Sequence, residues 1–160
     1  MSLYSKINRI FTHPVPALLF RLYIAWIFVD AGMYKINYSA EFAESIASYR
    51  MVPHWGVNLM AVTLPWMELI CGICLALGIR VKSMSLIMAF LMLIFTIGVS
   101  VNLLRGSPIS CGCFSTVGDT ISVMTLLRDL TWLALCLHIY SFDRLFHLEK
   151  ISFGLKEMES

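Results

Sequence analysis

Charged residues are scarce in this sequence: Lys, Arg, Asp and Glu make up 14% of the 160 residues, whereas hydrophobic residues make up 59%. This composition excludes an ordinary soluble domain, in which about a quarter of the residues are charged. The 12 basic and 10 acidic residues are spread along the chain, so there is no basic tract of the kind that binds nucleic acid. The mean hydropathy of +0.79 instead indicates a protein that lies in a lipid bilayer.

Little of the chain lies outside long apolar runs. Four runs are long enough to cross a membrane, since a crossing needs about 20 apolar residues: residues 16–36, 56–79, 84–104 and 121–140. The connections between them are too short for a separate soluble catalytic domain. We therefore predict an all-α integral membrane four-helix bundle that forms a single domain over residues 1–160.

The basic residues predict how these spans are oriented. Seven Lys and Arg residues lie on the side that holds both termini and the tight turn at residues 80–83, and three lie on or near the other side. Because cytoplasmic segments are enriched in Lys and Arg, we expect both termini in the cytoplasm and both longer loops outside. The protein would then be a multi-pass protein of a bacterial inner membrane, with its loops in the periplasm, where cysteine pairs can form disulfides.

The first outer loop, residues 37–55, has the pattern of a short helix. Phe42, Ile46 and Tyr49 recur at helical spacing, Ser39 is a candidate N-cap, and Pro53 would end the segment. We expect this helix to lie flat on the membrane surface as an interfacial helix.

Cysteine is the most informative residue type. Two of the five cysteines, Cys111 and Cys113, flank a single glycine in the second outer loop, residues 105–120. Glycine lets the backbone bend tightly enough to bring two sulfurs to bonding distance. A disulfide in so small a ring is the strained, exchange-competent kind. A redox pair is therefore one interpretation, and a soft-metal site or inert thiols are the alternatives.

Cys71 and Cys74 lie on the second span, and Cys136 lies level with Cys71 on the fourth. About 22 Å of helix separates Cys71 from the outer end of its span, so these thiols cannot reach the outer pair by side-chain motion. They are either a second redox pair, which would need a mobile carrier such as a quinone to bridge the gap, or small packing residues.

Ionisable residues inside the spans are the second signal, because a charge in hydrocarbon needs a partner or a polar interior. Asp30, Arg128 and Asp129 lie at a similar depth, so either an Asp30–Arg128 salt bridge or a functional role would explain them. Glu68 lies deeper, about 18 Å from the outer end, and needs a partner or a proton. It shares a helix face with Cys71. A proton relay through these carboxylates would suit thiol chemistry.

Three further residues carry structural predictions. Arg21 and Lys35 lie near opposite ends of the first span, and each can extend its charge to the lipid headgroups. Gly72 forms with Ala76 a seam of small residues that favours close contact between helices.

Several short segments follow one another in a recognisable order. They are Arg21 with Ala31-Gly32-Met33-Tyr34-Lys35, then Leu64-Pro65-Trp66-Met67-Glu68-Leu69 with Gly72 and Leu77-Gly78, then Cys111-Gly112-Cys113-Phe114, and then Leu127-Arg128-Asp129. In order and spacing these segments resemble the DoxX superfamily of four-span membrane proteins. The last two are similar to its MauE branch, the redox-associated methylamine-utilisation proteins. The sequence departs from that pattern at Ser115, where the branch has glycine, and in its additional Cys71 and Cys74.

The resemblance implies a bacterial inner-membrane protein that helps to form or rearrange disulfides in an exported client, alongside a periplasmic thioredoxin-fold partner. We expect Cys111 and Cys113 to exchange disulfides or electrons with that partner. Cys71 and Cys74 are a possible second redox pair. The residues that would support the loop or relay protons are Glu68, Asp30, Arg128 and Asp129. No metal is expected in this function, and a quinone is a possible cofactor.

Two other functions fit the sequence. A non-enzymatic membrane assembly factor would hold a client through helix contacts, with the cysteines only stabilising the outer loop. A soft-metal carrier would use the two cysteine pairs as successive thiolate sites, with the ten methionines as auxiliary ligands. These methionines are scattered through the apolar spans, as packing residues would be.

Overall fold

Five helices occupy the part of the chain that the structure, a computed structural model, describes, namely residues 14–106, 109, 120–143 and 145. They are α1 (Pro14–Asn37), α2 (Ser39–Ser48), α3 (His54–Leu77), α4 (Val81–Leu104) and α5 (Val123–Phe142). All except α2 are long and apolar enough to cross a membrane. The prediction of an all-α four-helix membrane bundle is therefore confirmed.

The turn between α3 and α4 lies earlier in the chain than predicted. Gly78, at φ 73°, follows the last residue of α3 in the left-handed conformation that glycine adopts without strain. The N–H of Ile79 donates to the carbonyl of Cys74 at 2.8 Å, and that of Gly78 donates to Leu75 at 3.2 Å, which is a Schellman motif. Because α4 already begins at Val81, the two helices form the expected antiparallel hairpin through a turn at residues 78–80 rather than 80–83.

The short helix α2 confirms the prediction of a helix in the first long loop, but both of its ends differ. Ser39 is its first residue, and the N-cap is Tyr38, which makes no side-chain capping hydrogen bond. The helix ends at Ser48, and Pro53 is instead the N-cap of α3, with φ −66° and ψ 153°. Proline has a fixed φ in this range, so it suits an extended residue just before a helix.

The core joins all four long helices. Residues with essentially no exposed surface include Ile24 of α1, Leu75 of α3, Met88 of α4 and Ile139 of α5. The most extensive contacts are those of α1 with α3 and of α4 with α5, whereas α3 and α4 share fewer despite their tight turn. We call the end of the bundle that carries connections 38–53 and 105–122 the long-loop end, and the opposite one the turn end.

Two glycines let α1 and α3 approach closely. A Cβ atom on Gly32 would lie 2.9 Å from the carbonyl oxygen of Pro65, and one on Gly72 would lie 3.1 Å from that of Ala25. The predicted close helix contact at Gly72 is thus confirmed, whereas Ala76 is exposed on the bundle surface.

Gly32→Ala is expected to lower the free energy of unfolding by about 1–3 kcal/mol, because overpacking a close contact costs about this much. Gly98→Ala is the matched control, since a Cβ there would lie 3.4 Å from the ring of Tyr49, an ordinary contact. Unfolding by sodium dodecyl sulfate in mixed micelles, followed by circular dichroism, measures both. A Gly32→Ala protein as stable as Gly98→Ala would contradict the importance of the α1–α3 contact.

Candidate functional site

An ion pair joins α1 and α3 in the long-loop half of the bundle. The Nζ of Lys35 donates to both carboxylate oxygens of Glu68 at 2.8 Å, and the two side chains are only 9% and 12% exposed. The same Nζ lies 5.0 Å from the centroid of the Phe42 ring, within the range of a cation–π interaction. Lys35 therefore does not extend to the headgroups as predicted, and it is the partner that Glu68 needed.

The close helix contact explains why these two residues meet. Gly32 brings the backbone of α1 against Pro65 and Leu69 of α3. Lys35 lies one turn after Gly32 on α1, and Glu68 directly precedes Leu69 on α3, so both side chains begin close to that contact. Lys35 also lies in the last turn of α1, where a positive charge interacts favourably with the helix dipole.

Arg128 and Asp129 of α5 form a second charged pair. The Nη2 of Arg128 lies 3.3 Å from Oδ1 of Asp129, whose side chain has no exposed surface. The guanidinium also lies 4.8 Å from the centroid of the Trp132 ring. The other oxygen of Asp129, Oδ2, is buried and has no hydrogen-bond partner. Asp129 is thus a buried carboxylate with a spare acceptor oxygen.

The predicted Asp30–Arg128 salt bridge does not form. Asp30 is exposed on the surface of α1, and Arg128 pairs with its neighbour Asp129 instead. Depth alone led to the prediction, and depth does not specify the side of a helix. Asp30 lies two residues, about 200° of rotation, from the buried Phe28, so it lies on nearly the opposite face.

Tyr49 connects α2 and α4 at the long-loop end. Its backbone carbonyl oxygen lies 3.5 Å from both Asn102 Nδ2 and Arg105 Nη1. Burial, and then the negative charge of Asp129, raise the pKa of the Tyr49 phenol above its usual value, while Arg128 acts in the opposite direction. Tyr49 therefore lies close enough to the Arg128–Asp129 pair to be affected by both charges.

The two sides of the second long loop are held together beside Tyr49. The N–H of Ile121 donates to the carbonyl of Ile109 at 3.0 Å, and both side chains pack in a small cluster with Tyr49 and Val99. The predicted redox pair, Cys111 and Cys113, lies outside the described residues. The hydrogen bond between Ile109 and Ile121 marks the point at which the two described sides of that loop meet.

The other three cysteines have free thiols. Cys71 and Cys136 are buried in the main core cluster, and Cys74 is half-buried. These are positions that small packing residues occupy, and a redox role for Cys71 and Cys74 stays a prediction. Within the described ranges, no group of three or more His, Cys, Asp or Glu residues is placed to hold a metal ion.

A third ion pair lies at the turn end, where the sequence predicted only an anchor to the headgroups. Nη1 of Arg21 lies 2.8 Å from Oδ2 of Asp143, and the two side chains are 2% and 0% exposed. The same nitrogen donates to the carbonyl of Leu145 at 2.9 Å. Arg21 is therefore a buried interior residue, which corrects the prediction. Its partner was missed because Asp143 lies beyond the end predicted for the fourth span.

One signal in the sequence could have identified the inward face of α1. Five of the buried residues of that helix recur at intervals of three and four, which defines a single face of an α-helix: Arg21, Ile24, Phe28, Ala31 and Lys35. Both basic residues belong to this series, whereas Asp30 does not.

These observations define a multi-pass helical membrane protein with two charged pairs, Lys35–Glu68 and Arg128–Asp129, in the long-loop half of the bundle. The family model of the methylamine utilisation protein MauE matches residues 14–142. The chain therefore belongs to the MauE family, which confirms that part of the resemblance found in the sequence.

Individual relatives agree with this assignment. The chain is 31% identical over 130 residues to the methylamine utilization protein MauE of Methylophilus methylotrophus, covering 79% of this chain and 68% of the relative. It is 29% identical to that of Paracoccus denitrificans, with coverage of 79% and 69%. It is 28% identical to that of Methylorubrum extorquens, where the match spans 68% of this chain but only 59% of the relative's length. No solved structure matches the chain.

Proposed function

We propose that this protein is a thiol–disulfide redox protein of a bacterial inner membrane, which supports the maturation of an exported, disulfide-containing protein of methylamine utilisation. Membership of the MauE family supports the pathway, because the relatives are named for methylamine utilization. The basic residues favour cytoplasmic termini and periplasmic long loops. In this proposal the family is a branch of the DoxX superfamily, and the partner in exchange is a periplasmic thioredoxin-fold protein.

The observation that carries the proposal is the hydrogen bond between Ile109 and Ile121 beside Tyr49. Cys111 follows Ile109 by two residues, so the Cα atoms of the two residues can be at most about 7.6 Å apart. In this proposal Cys111 lies at the same end of the bundle as the Arg128–Asp129 pair, close to the Ile109–Ile121 hydrogen bond. A guanidinium near a cysteine lowers the free energy of its thiolate, which is the attacking species in exchange.

The exchange proceeds in two steps that need no other oxidant. The thiolate of one cysteine of the loop attacks the disulfide of the partner protein, which forms a mixed disulfide and releases a partner thiolate that takes up a proton. The second cysteine, Cys111 or Cys113, loses its proton and attacks the mixed disulfide. This closes the disulfide of the loop and releases the partner in its dithiol form. Run in reverse, the same steps oxidise the partner.

Buried groups in the long-loop half of the bundle are suited to accept protons. Asp129 has an oxygen without a hydrogen-bond partner, and Lys35 and Glu68 line a cavity of about 40 Å³, enough for at least one water molecule. Together they support a role in moving protons between the loop and the bundle. The exposed Asp30 is less suited to this role than the buried carboxylates.

The redox state of the loop tests the proposal directly. Intact cells are treated with a membrane-impermeant thiol reagent before and after mild reduction, and the labels on the protein are counted by mass spectrometry. We expect two additional labels after reduction, one on Cys111 and one on Cys113, and none on the buried Cys136. The Cys111→Ser/Cys113→Ser double variant is the control and should gain no label. Labelling of Cys111 and Cys113 that reductant does not change would contradict a redox pair.

A single substitution in the loop is expected to trap the partner. Without Cys113, the mixed disulfide formed through Cys111 cannot be resolved, so Cys113→Ser should accumulate a reductant-sensitive adduct visible on a non-reducing gel. If the order of attack is the opposite, Cys111→Ser traps it instead. Cys136→Ser is the control and should trap nothing. If neither single variant traps a protein and the double variant still supports maturation, a non-enzymatic assembly factor is the correct function.

A further inference from the structure

A groove opens between α2, α3 and α4 in the long-loop half of the bundle. Its volume is about 340 Å³, within the range typical of sites for small organic ligands. The residues that line it include Met60 and Leu64 of α3 and Leu91 and Ile94 of α4. Ile94 is 47% exposed, so the groove opens on the surface of the bundle that the bilayer would cover.

The walls of the groove differ along its length. Aromatic rings gather at the α2 side, where Phe42, Tyr49 and Phe95 line it and the centroids of the Tyr49 and Phe95 rings lie 6.1 Å apart. Aliphatic side chains of α3 and α4 line the remainder. A flat conjugated ring would pack against the aromatic part, since aromatic groups favour offset or edge-to-face contacts. A branched apolar chain would fit the aliphatic part.

The aromatic part of the groove adjoins polar groups. Phe95 lines both the groove and the small cavity that holds Lys35 and Glu68, and Phe42 contacts the Nζ of Lys35. Among the described residues, the side chains that line the groove itself are uncharged, and its polar ones are the hydroxyl-bearing Ser45 and Tyr49. A neutral headgroup with carbonyl oxygens fits such a site better than the anionic phosphate of a phospholipid.

We propose that this groove binds an isoprenoid quinone, with the ring against Phe42, Tyr49 and Phe95 and the prenyl chain along α3 and α4. Reduction of the bound quinone rests on the proposed function, whereas binding does not. In that reaction the dithiol of the loop would lose two electrons and two protons and become a disulfide. The quinone would gain the two electrons and two protons and leave as quinol. Binding itself does not require the cysteines of the loop.

Binding is tested with the purified full-length protein in detergent micelles, titrated with decylubiquinone and followed by quenching of tryptophan fluorescence, because Trp132 lines the adjoining cavity. We expect saturable quenching. Ser45→Phe, which fills the groove from α2, should weaken binding at least tenfold. Ala47→Phe adds the same side chain on the exposed face of the same helix and should leave the affinity unchanged. Gly98→Leu fills the groove from α4 and provides a second variant if Ser45→Phe does not fold.

Three outcomes would overturn the proposal. The first is quenching that does not saturate, and the second is equal affinity in the folded groove-filling variant and in Ala47→Phe. The third is displacement of decylubiquinone by an equal concentration of phosphatidylglycerol, which would mean that the groove binds lipids in general. The Cys111→Ser/Cys113→Ser variant separates the two proposals. If it binds decylubiquinone normally while the wild-type loop shows no redox activity, the proposed function fails and the quinone site stands.

Discussion

Asp143→Ala is expected to lower the free energy of unfolding by about 3–5 kcal/mol, because removing one partner of a buried ion pair leaves an uncompensated charge. The charge left behind is that of Arg21, which is 2% exposed and lies 2.8 Å from Asp143. The pair also connects the end of α5 to α1, since Leu145 N–H donates to Oδ1 of Asp143 and its carbonyl accepts from Arg21. Unfolding by sodium dodecyl sulfate in mixed micelles gives the value.

Two variants show whether burial of the charge is the cause. Asp30→Ala removes an acidic residue that is exposed on α1, so its effect should stay within about 0.5 kcal/mol. Arg21→Met/Asp143→Leu removes both charges, and a well-packed apolar pair often restores the stability of the ionic one. The double variant should therefore be more stable than Asp143→Ala alone. If Asp143→Ala is as stable as Asp30→Ala, then Arg21 reaches the headgroups after all.

Glu68→Ala should be the second most damaging substitution, with an expected loss of about 3 kcal/mol, at the lower end of the range for buried pairs. Both charges of the pair are about a tenth exposed, so some of the cost can be relieved by water. Lys35 would lose both of its 2.8 Å contacts with the carboxylate. The same unfolding assay applies, and the proposed maturation of the exported client provides a functional readout.

The charge-swapped variant Lys35→Glu/Glu68→Lys is the informative control. It keeps one positive and one negative charge in the same place, so it should recover part of the stability that Glu68→Ala loses. A swapped protein that is less stable than Glu68→Ala would mean that the geometry around Phe42 and Gly32, rather than charge pairing, determines the cost. Glu68→Gln keeps the shape of the side chain and separates packing from charge.

The spans could be predicted from the sequence because hydropathy and length are local properties. A run of about 20 apolar residues is a membrane helix whichever neighbours it has, since its backbone polar groups must be satisfied within the segment. The close contact at Gly72 could also be predicted from a local property, because a residue without a side chain lets two helices approach closely. The ends of α2 and the turn at residues 78–80 were less well predicted, because cap geometry depends on one or two residues.

The partners of the charged residues could not be predicted in the same way. The position of Asp30, Arg128 or Lys35 along a helix follows from residue counting, but the neighbour that each one faces depends on the rotation of that helix and on which helix lies beside it. The pairing of α1 with α3 through Gly32 decides that Lys35 meets Glu68. The location of Asp143 after the end of α5 decides that Arg21 is buried rather than at the membrane surface.

By itself the sequence determined that this protein is an all-helical membrane bundle with four spans, a short helix in the first long loop and a family resemblance to MauE. These properties follow from local composition and from the order of short motifs. Only the tertiary structure decided which charges are neutralised by which partners, that Asp30 is exposed, and that a groove with an aromatic and an aliphatic part lies between α2, α3 and α4. The physical reason is that a charge or a cavity is defined by atoms from several helices, and their relative rotation is a property of packing.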